Sequence, residues 1–388
     1  MGGSGTKTWE YSGLTTKSTN LNGWTTTHIA GLNGRSLTEK VSVTLLGIIE
    51  TPTLRQLDFA YDSLGRLVSV ADNAPVSVNE TFVYNDDSVL TSTTSNHSLL
   101  GQSITVDRGF DLANIRNSLS MRIGNTLDFK NTYTEDGLDR VITQSGQSGG
   151  NAVATKRIRQ TRNADGRIAR IQRYSSTTEN AALKSATGFG YDTAGRNTGI
   201  THSKSDIPVG EFWNGLGSAL PASISASDVL GAFYNSFNTF SRVEKTSSYR
   251  DGSTATYVYD AKNQLDTAGY SAITDLPQPF GLPGAENYDF DSNGNRVAVG
   301  QGSSVTAPQH DRIVSDGTFS YEYDFVGNIT RRTAASGAVK EFNWDYRNRL
   351  IKVVDRVSLT SPPTQAVRFD YDAFNNRIAK RVDIGAVK

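Results

Sequence analysis

One short motif recurs along this sequence, and residues 59–67 carry it in full. Phe59 and Tyr61 lie two residues apart, so on a strand both side chains share one face. Asp62 and Gly65 then take the first and fourth positions of a four-residue turn, where a side-chain acceptor and a residue that tolerates positive φ are favoured. Arg66 opens the returning strand. The motif therefore predicts an aromatic strand, a tight turn and a strand back.

The motif occurs thirteen times between residues 59 and 380, counted on its anchor, which we define as the residue at the place of Asp62. The spacing between anchors runs from 21 to 33 residues, which is typical of a repeat architecture. The third copy fits two registers, at Asp107 or at Asp111. The other predicted anchors are Asn85, Asp136, Asn163, Asp192, Asn214, Asn238, Asp260, Asp291, Asp324, Asp345 and Asp372.

A period of about 26 residues leaves room for two strands of about seven residues, the turn, and a second loop of variable length. We therefore expect an all-β chain of hairpins with one constant edge and one irregular edge. Only residues 178–186 suggest a short helix. Residues 1–5 resemble an expression scar, and residues 6–388 are expected to form a single repeat array. The glycine-rich residues 145–150 are interpreted as a long loop within that array.

The composition excludes several classes of protein. Lysine plus arginine equals aspartate plus glutamate at 39 each, which argues against a dedicated nucleic-acid binder. The absence of cysteine excludes disulfides, thiolate zinc sites and cysteine nucleophiles, and suits a protein that leaves a bacterial cell. No apolar run approaches the roughly 18 residues that a membrane helix needs.

The pattern aromatic-x-Tyr-Asp-x-x-Gly-Arg-Leu at this spacing resembles the YD repeat of the bacterial Rhs family. That family includes the cocoon-forming parts of insecticidal Tc toxins, wall-associated proteins and, more distantly, teneurins. The resemblance implies a β-sheet ribbon that winds as a curved or spiral sheet into a hollow or partial shell, secreted or on the cell surface. It also implies a polypeptide cargo such as a toxin domain. The family's aspartate self-cleavage segment has no counterpart here, because the sequence contains no Asp-Pro dipeptide.

The repeated aspartates could indicate carboxylate catalysis or calcium binding, but a turn cap explains them better. An acid or base needs a charge, whereas a cap needs only an acceptor, which asparagine also supplies. Calcium sites in β-rolls use tight Gly-Asp nonapeptides, and none occur here. His28, His97, His202 and His310 have no metal-ligand spacing. Gly149-Gly150 and 300–302 read as loop glycines. We therefore predict a protein that is not an enzyme, with no catalytic, cofactor-binding or metal-binding residue.

The aromatic residues allow two interpretations. One aromatic pair per repeat predicts a packing ladder across neighbouring strands, whereas an exposed ladder would stack on sugars. The alternative function is therefore a surface adhesin that binds a glycan or protein, with Trp213 and Trp344 as the side chains to test. The arginines that follow the turns are expected to form a solvated or salt-bridged row; they are Arg66, Arg140, Arg167, Arg196, Arg242 and Arg349.

Overall fold

The structure is a computed structural model, and it describes residues 7–45, 49–50, 54–136, 139–145, 156–176, 178, 181–271, 284–294, 296–299, 303–304 and 312–385. These residues form antiparallel strands and one 3-10 turn at Ala226–Asp228. The prediction of an all-β fold is confirmed. The strands are β1 (Thr8–Ser12), β2 (Thr15–Thr19), β3 (Trp24–Ala30), β4 (Ser36–Leu45), β5 (Ile49–Glu50), β6 (Arg55–Tyr61), β7 (Leu67–Asp72), β8 (Val78–Tyr84), β9 (Leu90–His97), β10 (Gln102–Phe110), β11 (Arg116–Ile123), β12 (Thr126–Asp136), β13 (Asp139–Ser145), β14 (Lys156–Arg162), β15 (Ile168–Tyr174), β16 (Leu183–Tyr191), β17 (Asn197–Ser203), β18 (Val229–Phe237), β19 (Val243–Ser248), β20 (Thr254–Tyr259), β21 (Leu265–Tyr270), β22 (Ala285–Phe290), β23 (Arg296–Val299), β24 (Ser303–Ser304), β25 (Phe319–Tyr323), β26 (Ile329–Ala334), β27 (Val339–Trp344), β28 (Leu350–Arg356), β29 (Pro363–Tyr371) and β30 (Arg377–Ile384).

Each strand pairs with a strand close to it in the sequence, as a chain of hairpins requires. In the hairpin of the opening motif, Phe59 pairs with Val70 and Tyr61 pairs with Leu67, and the register shifts by one residue just before the turn. The same shift precedes the turns after β8, β16, β18, β20 and β29. The repeated sequence therefore produces a repeated hairpin with a bulge at its turn.

The expectation of a helix at residues 178–186 is wrong. Strand β16 begins at Leu183, and Ala186 pairs with Gln172 on one side and Ser203 on the other. Ala186 is fully buried in the core of the sheet. Burial and strand pairing on both sides therefore outweigh the weak helical preference of the alanine and lysine residues in this segment.

The chain divides into two compact units. The first comprises residues 1–107, 122–125 and 303–388, so it combines strands from both ends of the chain. Its core contains Leu57, Val70 and Ala373, and Phe82 contacts Phe374 edge to face at 5.8 Å between ring centroids. A turn of the last hairpin thus packs on strands β6 to β8, which lie about 300 residues earlier in the sequence.

The second unit comprises residues 108–121 and 126–302. Residues 204–228 connect β17 to β18 and cover one face of the sheet, where Ile207 and Ile224 join Ala186 in a buried cluster. The Phe212 ring lies against Gly190, where an added Cβ would come within 2.2 Å of the ring. This close approach explains why the strand carries glycine at that position. No helix among the described residues is long and apolar enough to cross a membrane.

Candidate functional site

The residues that the sequence repeats lie together at the turns, and the turn at Asp62 shows their geometry. Gly65 N–H donates to the Asp62 carbonyl at 2.9 Å, and Gly65 has a φ of 78°. Asp62 Oδ1 accepts the Arg66 N–H at 2.9 Å, and Asp62 Oδ2 accepts Arg66 Nε–H at 2.7 Å. The Arg66 backbone N–H and guanidinium lower the pKa of Asp62. Its carboxylate therefore closes the turn and holds the first side chain of the returning strand.

Asparagine closes the same turn through its amide oxygen. Oδ1 of Asn85 accepts the Val89 N–H at 2.8 Å, and Oδ1 of Asn163 accepts the Arg167 N–H at 2.9 Å. Because a neutral acceptor occupies the place of Asp62, these positions work as turn caps. The carbonyl of each anchor accepts the N–H of the residue three places later at Asp62, Asn85, Asn163, Asp192, Asn238, Asp260, Asp291, Asp324, Asp345 and Asp372.

Several repeats are tied to the preceding one by a hydrogen bond from a tyrosine hydroxyl or, at Trp344, from an indole N–H. The tyrosine just before the anchor donates to a backbone carbonyl at the start of the preceding return strand, as from Tyr84 to Leu67 at 2.9 Å and from Tyr191 to Ile168 at 2.9 Å. The same bonds join Tyr259 to Val243 and Tyr371 to Leu350, and Trp344 Nε1 donates to Ile329 at 2.7 Å. This bond gives the tyrosine of the motif a role that a purely apolar ring could not fill.

Arginine completes the connection. The Arg66 guanidinium lies 4.9 Å from the centroid of the Tyr84 ring in the next repeat and donates to the Asn85 carbonyl at 3.0 Å. Arg349 repeats both contacts with Tyr371 and the Asp372 carbonyl. Similar ring contacts are made by Arg35, Arg167, Arg196 and Arg242. The predicted packing ladder and salt-bridged arginine row are therefore one network, which we call the turn row.

Three predicted copies depart from the pattern. The third copy is anchored at Asp111, whose Oδ1 accepts the N–H groups of Ala113 and Ile115, whereas Asp107 lies inside β10 and accepts a bond from Ser92. Asp136 is the last residue of β12 and pairs with Asp139, so it is a paired strand residue and not the anchor of the longer turn. Arg140 lies in β13, next to Asp139. The sequence did not distinguish Asp107 from Asp111, because Val106 and Phe110 precede them and both fit a strand before a turn.

The copy at Asn214 is wrong. Asn214 lies in the segment that covers the sheet of the second unit, outside any hairpin. Its neighbour Trp213 is 1% exposed and its N–H donates to the buried Thr201 hydroxyl at 2.9 Å. Trp344, by contrast, is partly exposed, and its indole N–H donates to the Ile329 carbonyl at 2.7 Å.

The structure also contains turns that the motif did not mark. Oδ1 of Asn20 accepts the N–H groups of Asn22 and Trp24, both at 3.0 Å, so Asn20 is an anchor too. Gly31 and Ala334 occupy the same position with backbone bonds alone. A search for polar residues four places before a strand would have found Asn20, but nothing in the side chains marks the other two.

The histidines stay apart. His28 Nδ1 lies 3.6 Å from Glu39, and His202 Nδ1 contacts the Thr187 hydroxyl at 3.0 Å. Burial lowers the pKa of His97 and of His202. His310 and the glycines at 149–150 and 300–302 lie outside the described residues, as do most of residues 145–150. Within the part of the chain that the structure describes, no group of three His, Cys, Asp or Glu residues is placed to hold a metal ion.

Buried charges occur where the last hairpins meet the early strands of the first unit. The Glu39 carboxylate, 7% exposed, accepts the Tyr346 hydroxyl at 2.8 Å and Arg347 Nη2 at 2.7 Å. Arg55 donates to Asp72 and, at 3.2 Å, to the Tyr371 carbonyl. These contacts hold the turn row of β25 to β30 on strands β4 to β7.

Glu80 is the exception in this buried set. It is 7% exposed, its Oε1 receives a long bond of 3.4 Å from Ser95, and its Oε2 has no hydrogen-bond partner among the described residues. Burial, together with the Asp372 carboxylate, raises the pKa of Glu80 to about 7. No motif in the sequence singles out this residue.

Comparison with known proteins shows that the later part of this chain is similar to a known family. Residues 232–388 match the family model described as Teneurin YD-shell. None of the curated proteins compared matches the chain. Similar solved structures include a chain of the Tc holotoxin pore of Photorhabdus luminescens, at 10% identity over 98% of this chain and 17% of that chain, with a TM-score of 0.30. A chain of the TcdB2-TccC3 crystal structure is 12% identical over 96% of this chain and 23% of that chain, with a TM-score of 0.32.

This chain thus spans less than a quarter of the length of either of those two chains. The similarity rests on the family model, and the tyrosine, aspartate and arginine contacts of the turn row recur inside the matched residues. Residues 232–388 are thus similar to the Teneurin YD-shell family, in agreement with the resemblance that the YD motif indicated.

Proposed function

We propose that this chain is a section of a YD-shell wall that encloses or displays a polypeptide cargo, such as a toxin domain, and that it catalyses no reaction. The observation that carries the proposal is the turn row, because it recurs in both units and in the residues that match the YD-shell family model. The recurring tyrosine, aspartate and arginine contacts connect neighbouring repeats. Each repeat adds one more hairpin to the wall.

The wall would act by exclusion. Strand pairing satisfies backbone hydrogen bonds along each sheet, and the bonds from tyrosine hydroxyls to backbone carbonyls fasten several hairpins to their predecessors at one edge. A polypeptide behind such a sheet would be shielded from solvent and proteases. Secretion or display on a bacterial surface fits this role and is part of the proposal.

The carboxylates of the turn row support a role without catalysis. Those of Asp62 and Asp192 each accept a backbone N–H and an arginine side chain, and these donors lower the pKa of both groups. A carboxylate so held stays ionised near neutral pH and is a weak general base, since efficient acid–base catalysis needs a pKa near the operating pH.

Electron microscopy of the purified chain tests whether the chain forms such a wall. We expect a curved sheet that borders a hollow or concave space. A solid particle without such a space would contradict the proposal, whatever the stability of the individual hairpins.

The rate of cleavage by a protease tests whether the chain encloses a cargo. An unstructured tail that carries one protease site is fused after Lys388, and the same tail on an unrelated soluble protein serves as the control. We expect the tail on this chain to be cleaved more slowly than the control tail. The double variant Tyr191→Ala and Tyr259→Ala, which loosens the turn row, should restore cleavage. Equal cleavage rates for this chain and the control would refute enclosure.

A further inference from the structure

The second unit contains a pocket of about 430 Å³ on one face of its sheet. Arg173 pairs with Ser185, which lies two residues before Thr187. Thr187 pairs with His202, and His202 pairs with Gly231. Directly paired residues share a sheet face, as do residues two apart on one strand. Strands β15 to β18 therefore bring these positions together on one surface, and the volume lies within the range of small-ligand sites.

Gly231 leaves room for a ligand beside apolar side chains. A Cβ added at Gly231 would have only the Phe233 ring within 4 Å, at an ordinary contact distance of 3.7 Å. Leu230 is the extra residue of a bulge, because it lies between the paired residues Val229 and Gly231. The side chains of Leu230 and Phe233 line the pocket and are 44% and 46% exposed. This side of the pocket is therefore apolar and open.

Two arginines line the pocket, and neither has an ion-pair partner among the described residues. Arg173 Nη1 donates to the Thr187 hydroxyl at 2.9 Å, which fixes the position of the guanidinium, and its other N–H groups have no partner in that part of the chain. Arg250 is exposed and makes no hydrogen bond to any described residue. Because a guanidinium carries five N–H donors, most of the donors of both arginines are left for a ligand.

His202 adds a neutral donor. Thr187 is 2% exposed, and its hydroxyl accepts from Arg173. Within the described residues the hydrogen of this hydroxyl has one acceptor, His202 Nδ1 at 3.0 Å, and a buried hydroxyl without a partner is costly. This arrangement assigns the imidazole hydrogen to Nε2. Burial, and then the charge of Arg173, lower the pKa of His202, so the ring is neutral near pH 7.

The ionised groups of the pocket determine the charge that a ligand should carry. Asp251 also lines the pocket, and its Oδ1 accepts the backbone N–H of Ser253 at 3.0 Å and its hydroxyl at 2.7 Å. Burial raises the pKa of Asp251, but these bonds outweigh it and lower the pKa, so the group is charged. Two guanidiniums beside one carboxylate leave a single excess positive charge. A phosphate monoester, with a charge of about −2, would be repelled by Asp251.

We propose that this pocket binds a free monocarboxylic acid with an aryl or branched alkyl body. The carboxylate accepts from Arg173 and Arg250, whose planar N–H pairs match its two oxygens. The apolar body occupies the space at Gly231, beside Leu230 and Phe233. The site lies within one unit, uses none of the turn row, and does not depend on an enclosed cargo.

Calorimetric titration of the full chain with 3-phenylpropionate at low salt tests the proposal. We expect saturable binding at one site. Arg250→Gln should weaken binding about tenfold, since it removes one charge-assisted contact, and it should fold because Arg250 is exposed. Gly231→Val should abolish binding, because its methyl groups fill the pocket, while the 3.7 Å clearance at Cβ allows the strand to keep its structure. Circular dichroism and the urea midpoint check that both variants fold.

Lys184→Gln is the matched control, because Lys184 is exposed on β16 and does not line the pocket, so the variant loses one positive charge elsewhere. It should bind 3-phenylpropionate as the unaltered chain does. Equal losses in Arg250→Gln and Lys184→Gln would overturn the proposal, as would the absence of binding or unchanged binding in Gly231→Val.

Three further ligands test the chemical class. The neutral 3-phenylpropionamide should bind about tenfold more weakly than the acid, and equal binding would refute the role of the carboxylate. Tighter binding of phenyl phosphate than of the acid would contradict the single charge. Tighter binding of N-acetyl-L-phenylalanine would overturn the assignment to a free acid in favour of the C-terminus of a peptide.

Discussion

The buried carboxyl of Glu80 should make the first unit less stable as the pH rises. Glu80 lies on β8 in the region where the turn at Asp372 packs on the early strands, and Asp372, itself 4% exposed, is the charged group that acts on it. The unpaired Oε2 is best tolerated when the carboxyl is protonated, because an isolated buried charge is costly. Glu80 therefore favours the folded state in its neutral form.

The size of the effect follows from the two pKa values. Glu80 ionises at its ordinary value of 4.5 in the unfolded chain and at about 7 in the folded protein. Each pH unit between these values is worth about 1.36 kcal/mol, so full ionisation costs the folded state about 3 kcal/mol. The folded state binds more protons than the unfolded chain in this window. The stabilisation is therefore complete below pH 4.5 and is lost as the pH rises through 7.

Urea unfolding of the protein and of Glu80→Gln, followed by tryptophan fluorescence between pH 5 and pH 8, measures this effect. The difference in unfolding free energy between the two proteins should change by about 2–3 kcal/mol over that range, in favour of the variant at high pH. Any cost of seating the glutamine amide is the same at every pH and cancels in the change. Glu10→Gln, at an exposed position on β1, is the control and should follow the unaltered protein. A difference that stays constant from pH 5 to pH 8 would refute the reasoning.

Three further predictions concern the hairpins, each measured as a shift in urea midpoint. Tyr191→Phe should lower the free energy of unfolding by about 1 kcal/mol, because it removes one hydrogen bond to a carbonyl of the preceding repeat. An unchanged midpoint would show that the hydroxyl does not stabilise the fold. Asp345→Ala should cost about 1–2 kcal/mol through loss of the turn bond and the Arg349 contact, whereas Asp345→Asn should cost less, and equal losses would contradict the cap. Gly190→Ala should cost about 2 kcal/mol or more by overpacking against Phe212, and Phe212→Ala in the same chain should recover part of that loss if the contact is the cause.

The turns were largely predictable because their chemistry is local. An acceptor at Asp62, positive φ at Gly65 and an arginine at the next position all act within five residues, so the sequence alone carries the signal. The same logic explains why Asn348 and Asn375, with φ of 57° and 72°, replace glycine at the fourth position. Local chemistry also explains the register of the hairpins, since the turn fixes which residues pair.

Predictions from the local sequence were wrong in two segments whose structure is determined by burial in the core. The segment around Asn214 has the composition of a turn, yet Trp213 is buried on a sheet whose glycine at Gly190 leaves room for Phe212. Residues 178–186 have some helical preference, yet Ala186 is a core residue between two paired strands. In both cases contacts with distant residues outweigh what the short sequence favours.

The sequence by itself determined the repeating hairpin, its turn caps and the all-β class, because these depend on residues within one period of about 26. Only the tertiary structure brought Tyr346 to Trp24 and Asp372 to the region of Glu80. Those residues lie about 300 positions apart, and no spacing rule links them. The contact between Tyr346 and Trp24 and the buried acid both arise where late hairpins pack on early strands, and burial there changes the chemistry of the Glu80 carboxyl.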